Sequence, residues 1–427
     1  MSMNIVIRGG RVMDPASQLD SVTDLYISNG KIAALGEAPA GFVEELSLDA
    51  SGLIVSPGFV DLCARVREPG NSAKGTIRSE TQAAAAGGIT SLCVPPDSNP
   101  INDSTAVTKL IMDKARQAGF AKILPIGALT KGLEGEQLAN MQALAEAGCI
   151  ALSNTRLPIR NSLTLMRCLE YAATFDLLVI FQSQDADLAS AGVMHDGATA
   201  TRLGLSGIPE TAETIAVARD LLLVEQTGVR AHFGQLSTAR AVQLIMDARA
   251  KGLRVTADVA VHHLLYTDTK LKGFDSLYHI NPPLRSSIDR AGLREALLGG
   301  TLSAICSDHQ PHDEAAKRAP LSATEPGISS LETLLPQALT LVEQGVLDMM
   351  QMIDKLASGP AKVLGIQAGR LALGDAADIC VFDPKQEWLL SANQMHSTGK
   401  NTPLLKKTQT GKVRYTLVDG ELVYQAH

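Results

Sequence analysis

The 427 residues carry 45% hydrophobic and 19% charged side chains, with 38 Lys+Arg against 45 Asp+Glu for a formal charge of -7. That balance belongs to a globular chain with a sizeable core and excludes the disordered and collagen-like classes. There is no Lys/Arg-rich run and no apolar stretch of about 18 residues, so neither nucleic acid nor a membrane is an expected partner.

In chain order, the start alternates apolar and polar residues and lacks the basic segment and apolar run of a signal peptide. Residues 1–57 read as short strands at 4–8, 24–27 and 31–35, with turns at Gly9-Gly10 and Asn29-Gly30. From residue 58 the texture changes. Apolar or β-branched runs fall at 58–62, 90–94, 123–126, 149–152, 177–181, 229–233, 254–259 and 302–306. Amphipathic stretches at 136–147, 162–173, 209–226 and 238–250 lie between them. Eight strand–helix units over about 300 residues predict an α/β fold of the (β/α)₈ TIM-barrel type. A doubly wound sheet is the rival, but no G-x-G-x-x-G follows the first strand. The segments after strands one, five, seven and eight are long, and such loops form the face where barrels do chemistry. From Gly369 the tail returns to strands, at 377–382, 413–418 and 421–424 with a turn at Asp419-Gly420. The expected domains are a small β-sandwich from 1–57 plus 367–427 and a barrel over 58–366. The six cysteines (Cys63, Cys93, Cys149, Cys168, Cys306, Cys380) show no C-x-x-C, the pattern of reduced thiols in a cytoplasmic protein.

The end of the first barrel strand reads PGFVDLCARVREPG over 57–70. It resembles the amidohydrolase superfamily, and within it the dihydroorotases, whose pattern there is P-G-F-x-D-x-H-x-H-x-R-E-P-G. Further stretches resemble that family in order: VPPDSNP (94–100), NPPLR (281–285), SDHQPH (307–312) and GRLALGDAADICVFDP (369–384). The resemblance implies a barrel mouth with one or two zinc ions, held by four histidines, an acidic or carbamylated-lysine bridge and one aspartate.

The departures fall on those ligands. The first two histidines match Cys63 and Arg65. The bridge lies in a stretch that here reads Ser153-Asn154-Thr155-Arg156, with no carboxylate and no lysine. The third and fourth histidines match Gln182 and Gln235, and Asp308 alone is kept. Zinc needs imidazole, thiolate or carboxylate in fixed geometry. Amides are poor donors, and a guanidinium repels a cation. The expectation is therefore no zinc and no catalytic residue, with Asp308 vestigial.

Other residues have a bland reading beside the functional one. Cys63 reads as a small buried hydrophobe. His262 and His263, adjacent on a strand, would point to opposite faces. His309 and His312 read as hydrogen-bonded loop residues. Arg67 and Asn281 match family residues that bind the substrate's carboxylate, and with His312 they are vestigial binding positions or loop anchors. The companion carboxylate-binding Asn matches Asp97, whose charge would repel an anion. Pro326-Gly327 matches a half-kept family contact. Strand periodicity points Arg65 toward Asp308, so an Arg65–Asp308 ion pair is expected, closed by Gln182, Gln235 and Asn154 or Thr155.

The resemblance implies three competing functions. The first is an inactive dihydroorotase homologue in pyrimidine biosynthesis, a noncatalytic, oligomeric partner of the aspartate carbamoyltransferase catalytic chain. The second is a living cyclic-amide hydrolase with a metal rebuilt on Cys63, His232, His262 and Asp308. The third is a dicarboxylate-sensing module using Arg67 and Asn281.

Overall fold

The computed structural model describes residues 3–426. Eight parallel strands stand in sequence order around a barrel. They are Phe59–Asp61, Ile89–Val94, Lys122–Ala128, Ala151–Ser153, Val179–Phe181, Ala231–Phe233, Val255–Ala260 and Ala304–Cys306. Each lies on a run expected from the sequence. The ring closes just beyond the named strands, where Ala64 bridges His309. Arg65 N donates to His309 O at 2.9 Å there.

The strands are short, nearly continuous apolar segments because both faces are covered. Val60, Leu62, Cys63, Cys93, Ile126, Ile180 and Cys306 form one buried cluster together with Ala361, Val363 and Leu364 of the helix Gly359–Leu364. A second core lies between strands and helices, filled by residues such as Phe59, Leu92, Leu169, Val217, Phe233 and Ile305. All six cysteines are buried and unpaired in disulfides.

The two ends of the chain share one mixed sheet. Its order is Glu421–Gln425, Thr408–Val418, Ile379–Leu389, Ile54–Pro57, Ile5–Asp14, Leu19–Ser28, Lys31–Leu35, with Leu46–Asp49 also on Ile5–Asp14. Ile5, Ile7, Leu25, Ile27, Val55, Ile379, Val381 and Leu417 give it a core of its own.

Three expectations need correction. The helix expected over 136–147 is confined to Met141–Glu146, because Leu138 bridges Thr130 and Gln137 O accepts from Lys131 N. Strands Leu46–Asp49 and Ile54–Pro57 were not expected. His262 and His263 lie on the short helix Val261–Leu265, since the seventh strand stops at Ala260. No helix among the described residues is long and apolar enough to cross a membrane.

Candidate functional site

The C-terminal ends of the barrel strands deliver the polar residues to one mouth. Four of them, Arg67, Thr155, Gln235 and Asp308, hold left-handed backbone (φ 63°, 53°, 51° and 43°). Non-glycine residues pay strain for that conformation, and such strain clusters at sites.

Asp308 is the centre of the mouth and is 1% exposed. Arg156 Nη2 donates to both of its carboxylate oxygens, at 2.8 and 2.9 Å. Arg65 Nη1 lies 3.8 Å from Oδ1, while Arg65 Nε donates to Asp97 Oδ2 at 2.7 Å. Gln310 Nε2 donates to Oδ1 at 3.3 Å, and His262 Nε2 stands 3.9 Å from Oδ2. Burial by itself would push the Asp308 carboxyl up, yet Arg156, His262 and Arg65 hold it well below the usual carboxylate range. Burial likewise opposes the charge on Arg65, and the carboxylates of Asp97 and Asp308 more than offset it, so its pKa rises.

The expected Arg65–Asp308 pair is therefore present, but it is the longer of two. The nearest cation is Arg156, from the stretch where the family's bridging group belongs. Sequence reasoning quoted Arg156 without giving it a role. The signal was a cation in a stretch that had lost its carboxylate or lysine.

The remaining expected residues divide. Gln182 Nε2 donates to Gln235 Oε1 and to Cys63 Sγ, the latter at 3.7 Å. Burial pushes the Cys63 thiol well up, so it is a small apolar filler and not a thiolate. Asn154 does not close the Asp308 cluster. Its Nδ2 donates to Leu133 O and Leu157 O, and its Oδ1 accepts from Thr130 Oγ1. Thr155 only donates its N–H to Ser153 Oγ. Both shape the loop that carries Arg156.

His309 donates from Nε2 to Glu80 Oε2 at 2.8 Å, and its Nδ1 accepts from Ser330 N at 3.0 Å. With both nitrogens engaged, it ties the eighth strand to the helix Ile77–Ala86. His312 sits between Arg67, Pro326 O and Glu325. Burial and the neighbouring Arg67 push its pKa down to about 3. Gly327 (φ 142°) is required beside it, since a Cβ there would meet Gln310 Cβ at 2.5 Å and His312 Nε2 at 3.1 Å.

Arg67 donates to Pro311 O and contacts His312 Nε2. Burial, with Arg65 next, lowers its pKa to about 10. Asn281 Oδ1 is buried without a hydrogen-bond partner. Asn281 lines a cleft of about 290 Å³ with Gln184, Ile208, His279 and Pro326.

A zinc ion does not fit these residues. Arg156 covers both oxygens of Asp308, and the rebuilt ligand set does not converge. His232 has both ring nitrogens engaged, with Asp258 and Thr256 at 2.8 Å each. Among the described residues no group of three or more His, Cys, Asp or Glu side chains is placed to hold a metal.

Known proteins fit this architecture. Residues 52–241 match the family described as Dihydro-orotase-like. A dihydroorotase-like protein of Pseudomonas aeruginosa is 56% identical over 423 residues, covering 99% of this chain and 100% of the relative. The chain belongs to the dihydroorotase-like family. Within that family, a dihydroorotase-like protein of Pseudomonas putida is 55% identical over 99% of both chains. A dihydroorotase of Geotalea daltonii is 42% identical over 99% of this chain and 100% of its own. The L-hydantoinase (dihydropyrimidinase) from Arthrobacter aurescens superposes with a TM-score of 0.87, covering 99% of this chain and 96% of that one. At 22% identity, that likeness is one of fold.

Proposed function

We propose that this member of the dihydroorotase-like family is catalytically inactive. It would serve pyrimidine biosynthesis as a noncatalytic structural or assembly subunit of aspartate carbamoyltransferase. The observation that carries the inactive reading is the Arg156–Asp308 contact at 2.8 and 2.9 Å. Metal-assisted hydrolysis of an amide needs a Lewis acid to polarise the carbonyl and acidify water. At this mouth Arg156 already donates to both oxygens of the aspartate, and Arg65 stands 3.8 Å from one of them. An arginine carries charge but supplies no open coordination position. The alternative of an active hydrolase built on Cys63, His232, His262 and Asp308 draws no support from the geometry of His232. The assembly role rests on the family resemblance and on the argument that a chain without chemistry is kept for what it binds.

The test is elemental analysis of dialysed protein together with a dihydroorotate turnover assay. The expected result is well under one zinc per chain and no turnover above background. One zinc per chain with turnover would end the proposal.

A second reading, binding of a dicarboxylate without chemistry, is favoured by Arg67. This part-buried guanidinium makes no ion pair within 4 Å among the described residues. A buried unpaired cation is costly and is relieved by an anion. If this reading holds, carbamoyl aspartate or dihydroorotate should raise the melting temperature, the stabilisation growing as the logarithm of ligand concentration above Kd. Arg67→Ala should abolish the shift. No shift at millimolar ligand would remove this reading and leave the first intact.

A further inference from the structure

We infer that Arg156 is a built-in counter-ion that takes the charge role of a metal at Asp308, ties the barrel mouth across its diameter and bars a metal from the site. The inference goes beyond the proposed subunit role and holds for any partner.

Three observations carry it. The first is contact geometry. One guanidinium nitrogen of Arg156 reaches both oxygens of Asp308, and Asp308 is almost completely buried. A cation ligated by that carboxylate at about 2.0–2.2 Å would crowd the guanidinium held on the same oxygens. It would also stand against a fixed positive charge in a medium of low polarity, where repulsion is far stronger than in water. A metal and Arg156 therefore compete for Asp308.

The second is charge balance. Arg65 and Arg156 face Asp97 and Asp308, two cations against two anions, joined by Nε–Oδ2 (Arg65–Asp97, 2.7 Å), Nη1–Oδ1 (Arg65–Asp308, 3.8 Å) and the Arg156 contacts. The cluster is already neutral. A divalent ion would leave it doubly positive, with Arg67 next to it and itself held below its ordinary value by burial and by Arg65.

The third is position. Arg156 follows the fourth strand and Asp308 the eighth, 152 residues apart in sequence and opposite one another in a ring of eight. Arg65 and Asp97 add the first and second strands. The loop that aims Arg156 is itself fixed, because Asn154 clips it to Leu133 O, Leu157 O and Thr130 Oγ1. A metal bridging ligands from several strands would link the mouth in this way, and here side chains make the link.

A double-mutant thermal cycle tests the tie. Arg156→Gln and Asp308→Asn should each lower the melting temperature by several degrees. The double variant should fall no further than the worse single variant. Additive losses would overturn the inference, and so would an Arg156→Gln melting temperature equal to the wild type's. The barring role has its own assay, zinc titration of folded protein. A variant with histidine at positions 63, 65, 182 and 235 is compared with the same variant carrying Arg156→Ser. At least tenfold tighter zinc binding is expected once Arg156 is gone. Should the four-histidine variant misfold, the comparison is made on Gln182→His/Gln235→His with and without Arg156→Ser. Equal zinc affinity with and without Arg156 would overturn the inference. Additive cycle behaviour in zinc-free, inactive protein would overturn the counter-ion role alone and leave the inactive reading standing.

Discussion

At the scale of single residues, the barrel interior holds a carboxyl whose environment differs sharply from that of Asp308. Asp61 ends the first strand, is fully buried, and accepts from Ser307 N at 2.9 Å, from Ser307 Oγ and from Cys63 N. Burial raises its pKa to about 7, with the Asp258 carboxylate adding to the rise against those hydrogen bonds. The sign of the consequence follows from proton linkage. The folded state holds this proton more tightly than the unfolded chain, whose aspartates titrate near 3.9. The stabilisation is complete below about pH 4, declines as pH rises, and is gone above about 7. The difference corresponds to roughly 4 kcal/mol at most. The buried histidines His263, His279 and His312 act oppositely, since burial lowers each of them and they resist charging as pH falls. Their effect is common to wild type and variant and cancels in a difference. Asp61→Asn should therefore lose stability relative to wild type at pH 5 and recover or exceed it at pH 8. The measurement is the difference in unfolding free energy between the two proteins across that range. A pH-independent difference would contradict the assignment of a protonated Asp61.

At the scale of elements, apolar runs separated by amphipathic stretches were enough to place all eight barrel strands, because both faces of a parallel strand are covered and the run is continuous. What stayed hidden has physical causes. Ile54–Pro57 ends in Pro57-Gly58, a pair that reads as a breaker. It can be a strand because it lies between Ile5–Asp14 and Ile379–Leu389, neighbours that are distant in sequence. The first half of the stretch 136–147 has helical periodicity but is claimed by the Thr130–Leu138 bridge. The site was legible in its losses and less so in its replacements. Matching Cys63, Arg65, Gln182 and Gln235 to ligand positions leaves a thiol, a guanidinium and two amides there, of which only the thiol, as thiolate, is a good zinc donor. Strand periodicity then points Arg65 inward, and it lies 3.8 Å from Asp308. Arg156 sits on a loop, where no period applies. Its aim depends on the left-handed turn at Thr155 and on the three Asn154 hydrogen bonds, and none of these is written in a periodic pattern.

At the scale of the whole molecule, the chain keeps a complete barrel and a complete second sheet while the mouth is occupied by its own side chains. Under the proposed assembly role, such a scaffold is kept because another protein depends on the contacts it buries. Several helices carry large apolar side chains on their outer faces, among them Ile215 and Leu222 on Thr211–Thr227 and Ile288 and Leu298 on Ser287–Leu298, each at least half exposed. Apolar side chains left in water lower the free energy of any complex that covers them, by roughly 25 cal/mol per Å². If aspartate carbamoyltransferase is the partner, its catalytic chain is stabilised by mass action, by RT ln(1 + c/Kd) at free partner concentration c. A strain lacking this chain should then show a carbamoyltransferase of smaller size on gel filtration, with a lower inactivation temperature. Restoring the chain with Asp61→Asn or Arg67→Ala should return both, because neither residue lies on the outer helices. Dihydroorotase activity should be unaffected by the deletion, being supplied by another protein. A carbamoyltransferase of unchanged size and heat stability in the deletion strain would refute the assembly role, whatever the metal content of this chain turns out to be.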